Sequence, residues 1–242
     1  MLTDRLRRIT SDGNWISEVD GLRFIAISSV FLFHLNVVVS AEAKSAGALE
    51  STSWWLGQLL VNGNRGVSLF FVISGMILAL PFARQYLTSS KPVSLRKYYM
   101  RRVTRLEPPY ILSLLIATVM VAIYYHGLSK GIISDLLASL IYQHSSIFGT
   151  LCPINWVLWS LEIEIQFYVL APLVMQCFRI TGVVRRRAVI LVCIAVDSLA
   201  QIPFQDSHRF SLSLLYLLQN FLMGMVVADV FILDLKAILP SW

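Results

Sequence analysis

NWVLWSLEIEIQFYVLAP, Asn155 to Pro172, sets Glu162, Glu164 and Gln166 inside an apolar, aromatic run long enough to cross a bilayer. A carboxylate there costs about 2.5–3.5 kcal/mol on insertion scales, so each one needs a buried partner or a chemical task. On a helix, residues two apart lie about 200° apart, so Glu162 and Glu164 cannot share a face. One is expected to line a polar cavity and the other to meet a neighbouring helix. The purely structural alternative, both bonded to adjacent segments, stays open.

The rest of the chain has the same apolar character. Of its 242 residues 57% are hydrophobic and 14% charged, with a mean hydropathy of +0.69, which excludes an ordinary soluble domain. The expectation is an all-α, polytopic transmembrane bundle. Gly66 to Ala83 and Pro108 to Ser129 carry no charged side chain, and Gly21 to Ser40, Ile154 to Phe178, Ala188 to Phe204 and Phe210 to Leu233 carry one or two ionisable residues each. These make six crossings. A seventh segment, Ile132 to Gly149, contains Asp135, Gln143 and His144 and reads as re-entrant or interfacial.

Net charge is +6, and its placement sets orientation. Arg84, Lys91, Arg96, Lys97, Arg101, Arg102 and Arg105 follow one another with no acidic residue between them, and Arg179, Arg185, Arg186 and Arg187 form a second basic loop. The positive-inside rule puts both loops in the cytoplasm, together with the segment 1–20 and its Arg5, Arg7 and Arg8. Trp54 and Trp55 fall where an outer aromatic belt belongs. No cleavable signal is expected, since the first apolar run follows about twenty polar and charged residues and is a full span. Cys152, Cys177 and Cys193 have neither metal-ligand spacing nor an even count, so free thiols and no metal site are expected. No internal repeat or linker divides the chain, and residues 1–242 read as one membrane domain.

Three constellations carry chemistry. Arg23 and His34 are eleven residues apart, three helical turns, so they share a face about 16 Å apart, with the imidazole expected near mid-membrane. Histidine can take a proton from a hydroxyl nucleophile, although a core histidine bonded to a neighbour explains the residue equally. His126, His144 and His208 sit at segment ends and read as structural. RRVTRLEPPY, Arg101 to Tyr110, gathers Arg101, Arg102 and Arg105 with Arg96 and Lys97 into a cationic patch suited to phosphate. The alternative is topogenic charge against anionic lipid. NRGVSLFFVISGM, Asn64 to Met76, reads as a break whose Gly66, Ser68, Ser74 and Gly75 permit close helix packing; it is no phosphate loop.

Taken in order, four segments resemble the acyltransferase 3 family of multipass membrane O-acyltransferases: EVDGLRFIA with FLFHL (Glu18 to Leu35), GVSLFFVISG (Gly66 to Gly75), RRVTRLEPPY, and WSLEIEIQFY (Trp159 to Tyr168). FLMGMVVA, Phe221 to Ala228, is similar to a later family helix. The resemblance implies Arg23 and His34 as functional residues of the first helix, Arg102 and Arg105 as an acyl-CoA pair, and Glu164 as the family glutamate. Departures are Ile165 for a second glutamate, Ser68 for an aspartate and Phe24 for a small residue. Family members have about ten helices, so the resemblance also implies that the C-terminal helices are missing from these 242 residues or supplied by another chain, which leaves an inactive truncated fragment as an alternative.

The implied activity is transfer of an acyl group, most simply acetyl, from cytoplasmic acyl-CoA to a hydroxyl of a carbohydrate or lipid-linked glycan in a bacterial inner membrane. His34 would be the base or transient acyl carrier, Glu164 its orienting partner, and Arg23, Arg101, Arg102 and Arg105 the coenzyme A ligands. Acyl-CoA is a co-substrate, no permanently bound cofactor is expected, and the partners are the glycan acceptor and the bilayer, with no nucleic acid. A transporter or flippase would also need intramembrane carboxylates and a histidine, so that reading stays open until substrate movement is separated from thioester consumption.

Overall fold

The computed structural model describes residues 17–45 and 54–235, and all of its elements there are helical. They are α1 (Ser17–Ser45), α2 (Trp54–Val61), α3 (Arg65–Leu87), α4 (Leu95–Tyr124), α5 (Lys130–Leu140), α6 (His144–Phe148), α7 (Trp159–Val174), α8 (Val183–Ala200), α9 (His208–Ser211) and α10 (Leu214–Val230). Six helical stretches are long and apolar enough to cross a membrane: Glu18–Ala43, Asn62–Leu87, Leu95–Tyr124, Trp159–Arg179, Val183–Phe204 and His208–Leu235. Arg5, Arg7, Arg8 and the side chains of Trp54 and Trp55 lie outside the described residues.

Helix ends follow local chemistry. The Ser94, Ser129 and Ser213 hydroxyls accept from the backbone N–H of Lys97 (3.5 Å), Ile132 (3.3 Å) and Tyr216 (3.4 Å), capping α4, α5 and α10. α4 starts thirteen residues before the charge-free run that marked its span, because the arginines are accommodated inside the helix. Pro108 and Pro109 sit within it as well. The expected break at Asn64–Met76 is confined to a 3₁₀ turn at Asn62–Asn64, after which α3 is continuous. α5, of eleven residues and so about 16 Å long, and the five-residue α6 make a hairpin over Ile132 to Gly149, each helix too short to span about 30 Å of hydrocarbon.

α3 is the hub of the bundle. In its most apolar window 61% of residues are buried, against 6% for α1 and 11% for α8, whose outward faces are apolar as lipid contact requires. α3 meets α10 at two glycines. A Cβ on Gly75 would lie 2.3 Å from the Phe221 carbonyl oxygen, and one on Gly224 would lie 2.2 Å from that of Val72, so only glycine lets these backbones approach. Phe167 of α7 stacks on Phe221 with ring centroids 3.8 Å apart, and Phe71 lies 4.9 Å from the same ring. α1 docks on the start of α3 the same way, since Gly63 and Gly66 stand against the Ser29 and Ala26 carbonyls.

Both basic connections fall at one end of the bundle, as the bond from the Tyr86 hydroxyl to Gln176 Oε1 (3.4 Å) requires. The second is not simply a solvated loop. Arg186 is buried and reaches Asp229 (2.5 Å), while Arg187 bridges Asp229 (2.6 Å) and Asp234 (2.7 Å), tying α8 to α10.

Candidate active site

His34 lies towards the end of the bundle opposite the basic connections. The Asn155 side chain accepts from the Val157 N–H (3.2 Å), and the turn this makes before α7 presents Trp156 edge-on to the imidazole, with ring centroids 4.6 Å apart. Phe33 lies on another side at 5.2 Å. His34 Nδ1 is buried with no hydrogen-bond partner among the described residues, so the imidazole has a free polar atom next to an exposed tryptophan. That depth is nearer the far end than the middle expected for it. α1 is long, and its Ala26 to Phe33 stretch, not its outer third, docks on the start of α3.

Eleven residues earlier, about 16 Å towards the basic end, Arg23 is half-buried, with Nη1 3.9 Å from Asp20 Oδ1. The two residues therefore stand at different depths of one helix, as their spacing predicts.

Glu164 belongs to a second cluster. Its Oε1 accepts from the Ser74 hydroxyl of α3 (2.9 Å) and from the Tyr168 hydroxyl one turn along α7. It lies eight residues beyond Trp156 along the chain, the last five of them, about 7.5 Å, in α7, so it orients Tyr168 and Ser74 while His34 packs on Trp156. The Tyr168 ring in turn faces Arg102, whose Cζ lies 5.3 Å from its centroid and 5.8 Å from that of Tyr98. Tyr98 and Tyr99 donate to the carbonyls of Tyr168 (3.2 Å) and Val169 (3.1 Å), fastening α4 to α7. Arg101 and Arg105 are exposed on α4, at neighbouring positions of the same helix. The structure thus joins Glu164 to Arg102, a link the sequence reading did not make. The readable signal was Tyr168 at i+4 from Glu164.

The third cluster holds Glu162, 1% exposed, at the outer end of α7. Its Oε2 accepts from the Ser145 backbone N–H (3.2 Å), and its Oε1 is buried with no hydrogen-bond partner among the described residues. His144 is fully buried, with Nε2 3.1 Å from Asp135 Oδ1 and Nδ1 unsatisfied among the described residues. Arg209 fixes the far side of the hairpin through the Ser146 (3.2 Å) and Ile147 (3.3 Å) carbonyls, where Gly149 closes α6 in a left-handed conformation. Gln166 donates to the Tyr142 carbonyl (3.2 Å). Burial, and then a hydrogen bond to Glu107, hold the Tyr142 hydroxyl protonated well above the usual tyrosine range. His144 is thus a core residue of this hairpin rather than a peripheral one.

Both carboxylates are bonded to adjacent segments, so the purely structural alternative describes their contacts. Among the described residues no group of three or more His, Cys, Asp or Glu could hold a metal ion, and Cys152, Cys177 and Cys193 are free thiols.

Comparison with known proteins draws the four segments together. A family profile described as an acyltransferase domain matches residues 16–241. The peptidoglycan O-acetyltransferase OatA of Listeria monocytogenes is 26% identical over 175 residues, covering 68% of this chain and 25% of that protein. The putative peptidoglycan O-acetyltransferase YrhL of Bacillus subtilis is 29% identical over 175 residues, 68% of this chain and 24% of its own. A putative O-acetyltransferase of Staphylococcus aureus is 26% identical over 230 residues, 88% of this chain and 34% of its own. The chain spans about a quarter to a third of the length of these relatives. No solved structure matches it.

Proposed function

Because the chain belongs to the acyltransferase 3 family of membrane proteins, we propose that it moves an acetyl group from acetyl-CoA to a hydroxyl of a cell-envelope glycan. The curated relatives are named as O-acetyltransferases, two of them of peptidoglycan, which favours acetyl as the group and a wall polysaccharide or its lipid-linked precursor as the acceptor. The basic end lies in the cytoplasm of a bacterial cell, and so does the N-terminal segment 1–20.

The observation that carries this reading is the two-ended arrangement of the polar groups. Arg102 sits at the level of Tyr168 near the basic end, and His34 at the level of Trp156 near the other. Twelve residues separate those levels, the nine from Trp159 to Tyr168 being helix and so about 14 Å of rise, a distance the extended pantetheine arm of coenzyme A can bridge. Arg101, Arg102 and Arg105 hold the coenzyme A phosphates at the cytoplasmic mouth, and Arg23 lies further along the same path. His34, with its free Nδ1, takes the proton of the acceptor hydroxyl or carries the acetyl group in passing. Glu164 acts through Tyr168 rather than through His34. In the direct route the acceptor oxygen attacks the thioester carbonyl, the C–S bond breaks, and the thiolate of coenzyme A takes up the proton.

The test is release of coenzyme A from acetyl-CoA by membranes containing this chain, with and without a lipid-linked glycan fraction. Release that requires the glycan and disappears in His34→Ala establishes the transfer. Wild-type turnover by His34→Ala removes the histidine from the mechanism. Glycan movement without coenzyme A release points to a transporter.

A further inference from the structure

Arg102 has no carboxylate partner among the described residues. Its guanidinium faces two aromatic rings, Tyr168 at 5.3 Å and Tyr98 at 5.8 Å. Aromatic faces attract the cation and leave its five N–H donors unused, whereas a carboxylate would occupy them. A half-buried guanidinium held this way keeps its fork for an outside anion, and in a low-dielectric setting the anion completes a pairing the protein leaves open.

The two rings are themselves fixed. Tyr168 is 8% exposed, its hydroxyl donates to Glu164, and its backbone carbonyl accepts from the Tyr98 hydroxyl at 3.2 Å. Glu164 is in turn held by the Ser74 hydroxyl at 2.9 Å. A continuous path therefore runs from the guanidinium on α4 through the Tyr168 ring and hydroxyl on α7 to Ser74 on α3.

We propose that Tyr168 is the positioning residue of the acyl-donor site: its ring, with that of Tyr98, aims Arg102 at a phosphate of coenzyme A, while its hydroxyl separately fixes Glu164. This rests on the reading of Arg102 as an acyl-CoA ligand. It goes further by dividing one side chain into two tasks, which separate substitutions can pull apart. The ring governs donor affinity. The hydroxyl governs the rate after binding.

The experiment measures equilibrium binding of coenzyme A, and KM for acetyl-CoA against kcat, on the full chain in membranes. Tyr168→Leu removes the ring and is expected to weaken coenzyme A binding roughly 3- to 30-fold, the range set by a partly desolvated cation–π contact. Tyr168→Phe keeps the ring and is expected to hold affinity within about twofold while kcat falls. A tyrosine that only filled space would leave both quantities unchanged in Tyr168→Phe and move both together in Tyr168→Leu. Tyr98→Leu against Tyr98→Phe repeats the affinity comparison from the other helix, and decides the matter if Tyr168→Leu fails to accumulate.

Tight binding by both leucine variants, or equal loss of affinity in Tyr168→Phe and Tyr168→Leu, overturns the inference. Arg102→Ala separates it from the reading beneath it. If the wild type binds coenzyme A and Arg102→Ala weakens it while the leucine variants do not, only the positioning role fails. If the wild type binds none, or Arg102→Ala binds as well as the wild type, the donor site itself fails.

Discussion

Glu162 and Glu164 are two residues apart on one helix, almost equally buried, and differently used. Glu164 is tied to side chains from within the bundle, Ser74 and Tyr168, and through the latter to a cation. Glu162 is tied to the backbone of the α5–α6 hairpin, and one of its oxygens has no hydrogen-bond partner among the described residues. The helical period sends neighbouring carboxylates to opposite neighbours, and the neighbour decides the task. Glu164 joins α3 to α7 and, through the Tyr168 ring, reaches Arg102 of α4, whereas Glu162 anchors the short α5–α6 hairpin.

The comparison breaks first at Glu164→Ala. Two buried hydroxyl donors lose their acceptor at about 1–3 kcal/mol each, so the thermal midpoint of the detergent-solubilised protein should fall and turnover be largely lost. An unchanged midpoint would mean that the cluster contributes nothing to the bundle. Glu162→Ala should act locally. The Ser145 N–H is freed, and limited proteolysis between residues 141 and 157 should rise while the global midpoint moves less than in Glu164→Ala. A larger global shift for Glu162→Ala would invert the assignment. The smallest effect, about 1 kcal/mol, is expected for Ser74→Ala, which removes one of the two donors to Glu164. In double-mutant cycles Ser74→Ala should couple to Glu164→Gln and add independently with Glu162→Gln. Equal coupling to both would show that the two clusters act as one.

The six spans were legible because a crossing needs about twenty apolar residues, and that signal is written in consecutive positions. Their ends were not. Arg102 and Arg105 read as one face of a helix at the inner end of the third span and do lie in α4, but that α4 begins as early as Leu95 and that Arg102 places its charge over aromatic rings is not written in the spacing. That Glu162 and Glu164 face apart follows from spacing alone. Their partners do not, since Ser74 lies ninety residues from Glu164 and nothing local marks it. His144 read as a segment end because its neighbours are polar. Its burial comes from packing of the hairpin and from Asp135, nine residues earlier on the preceding helix. The depth of His34 also escaped the sequence, because helix length does not say which third of α1 docks on α3.

The glycine crossing of α3 and α10 also bears on the order in which the chain is made. Gly75 leaves the ribosome about 150 residues ahead of Gly224, an interval of roughly 10–30 s at ordinary rates of synthesis. Throughout it α3 sits in the membrane with its small-residue face uncovered, open to any other helix that can approach as closely. Whatever shields that face during the wait is part of how this protein reaches its folded form, and the core closes only when α10 arrives.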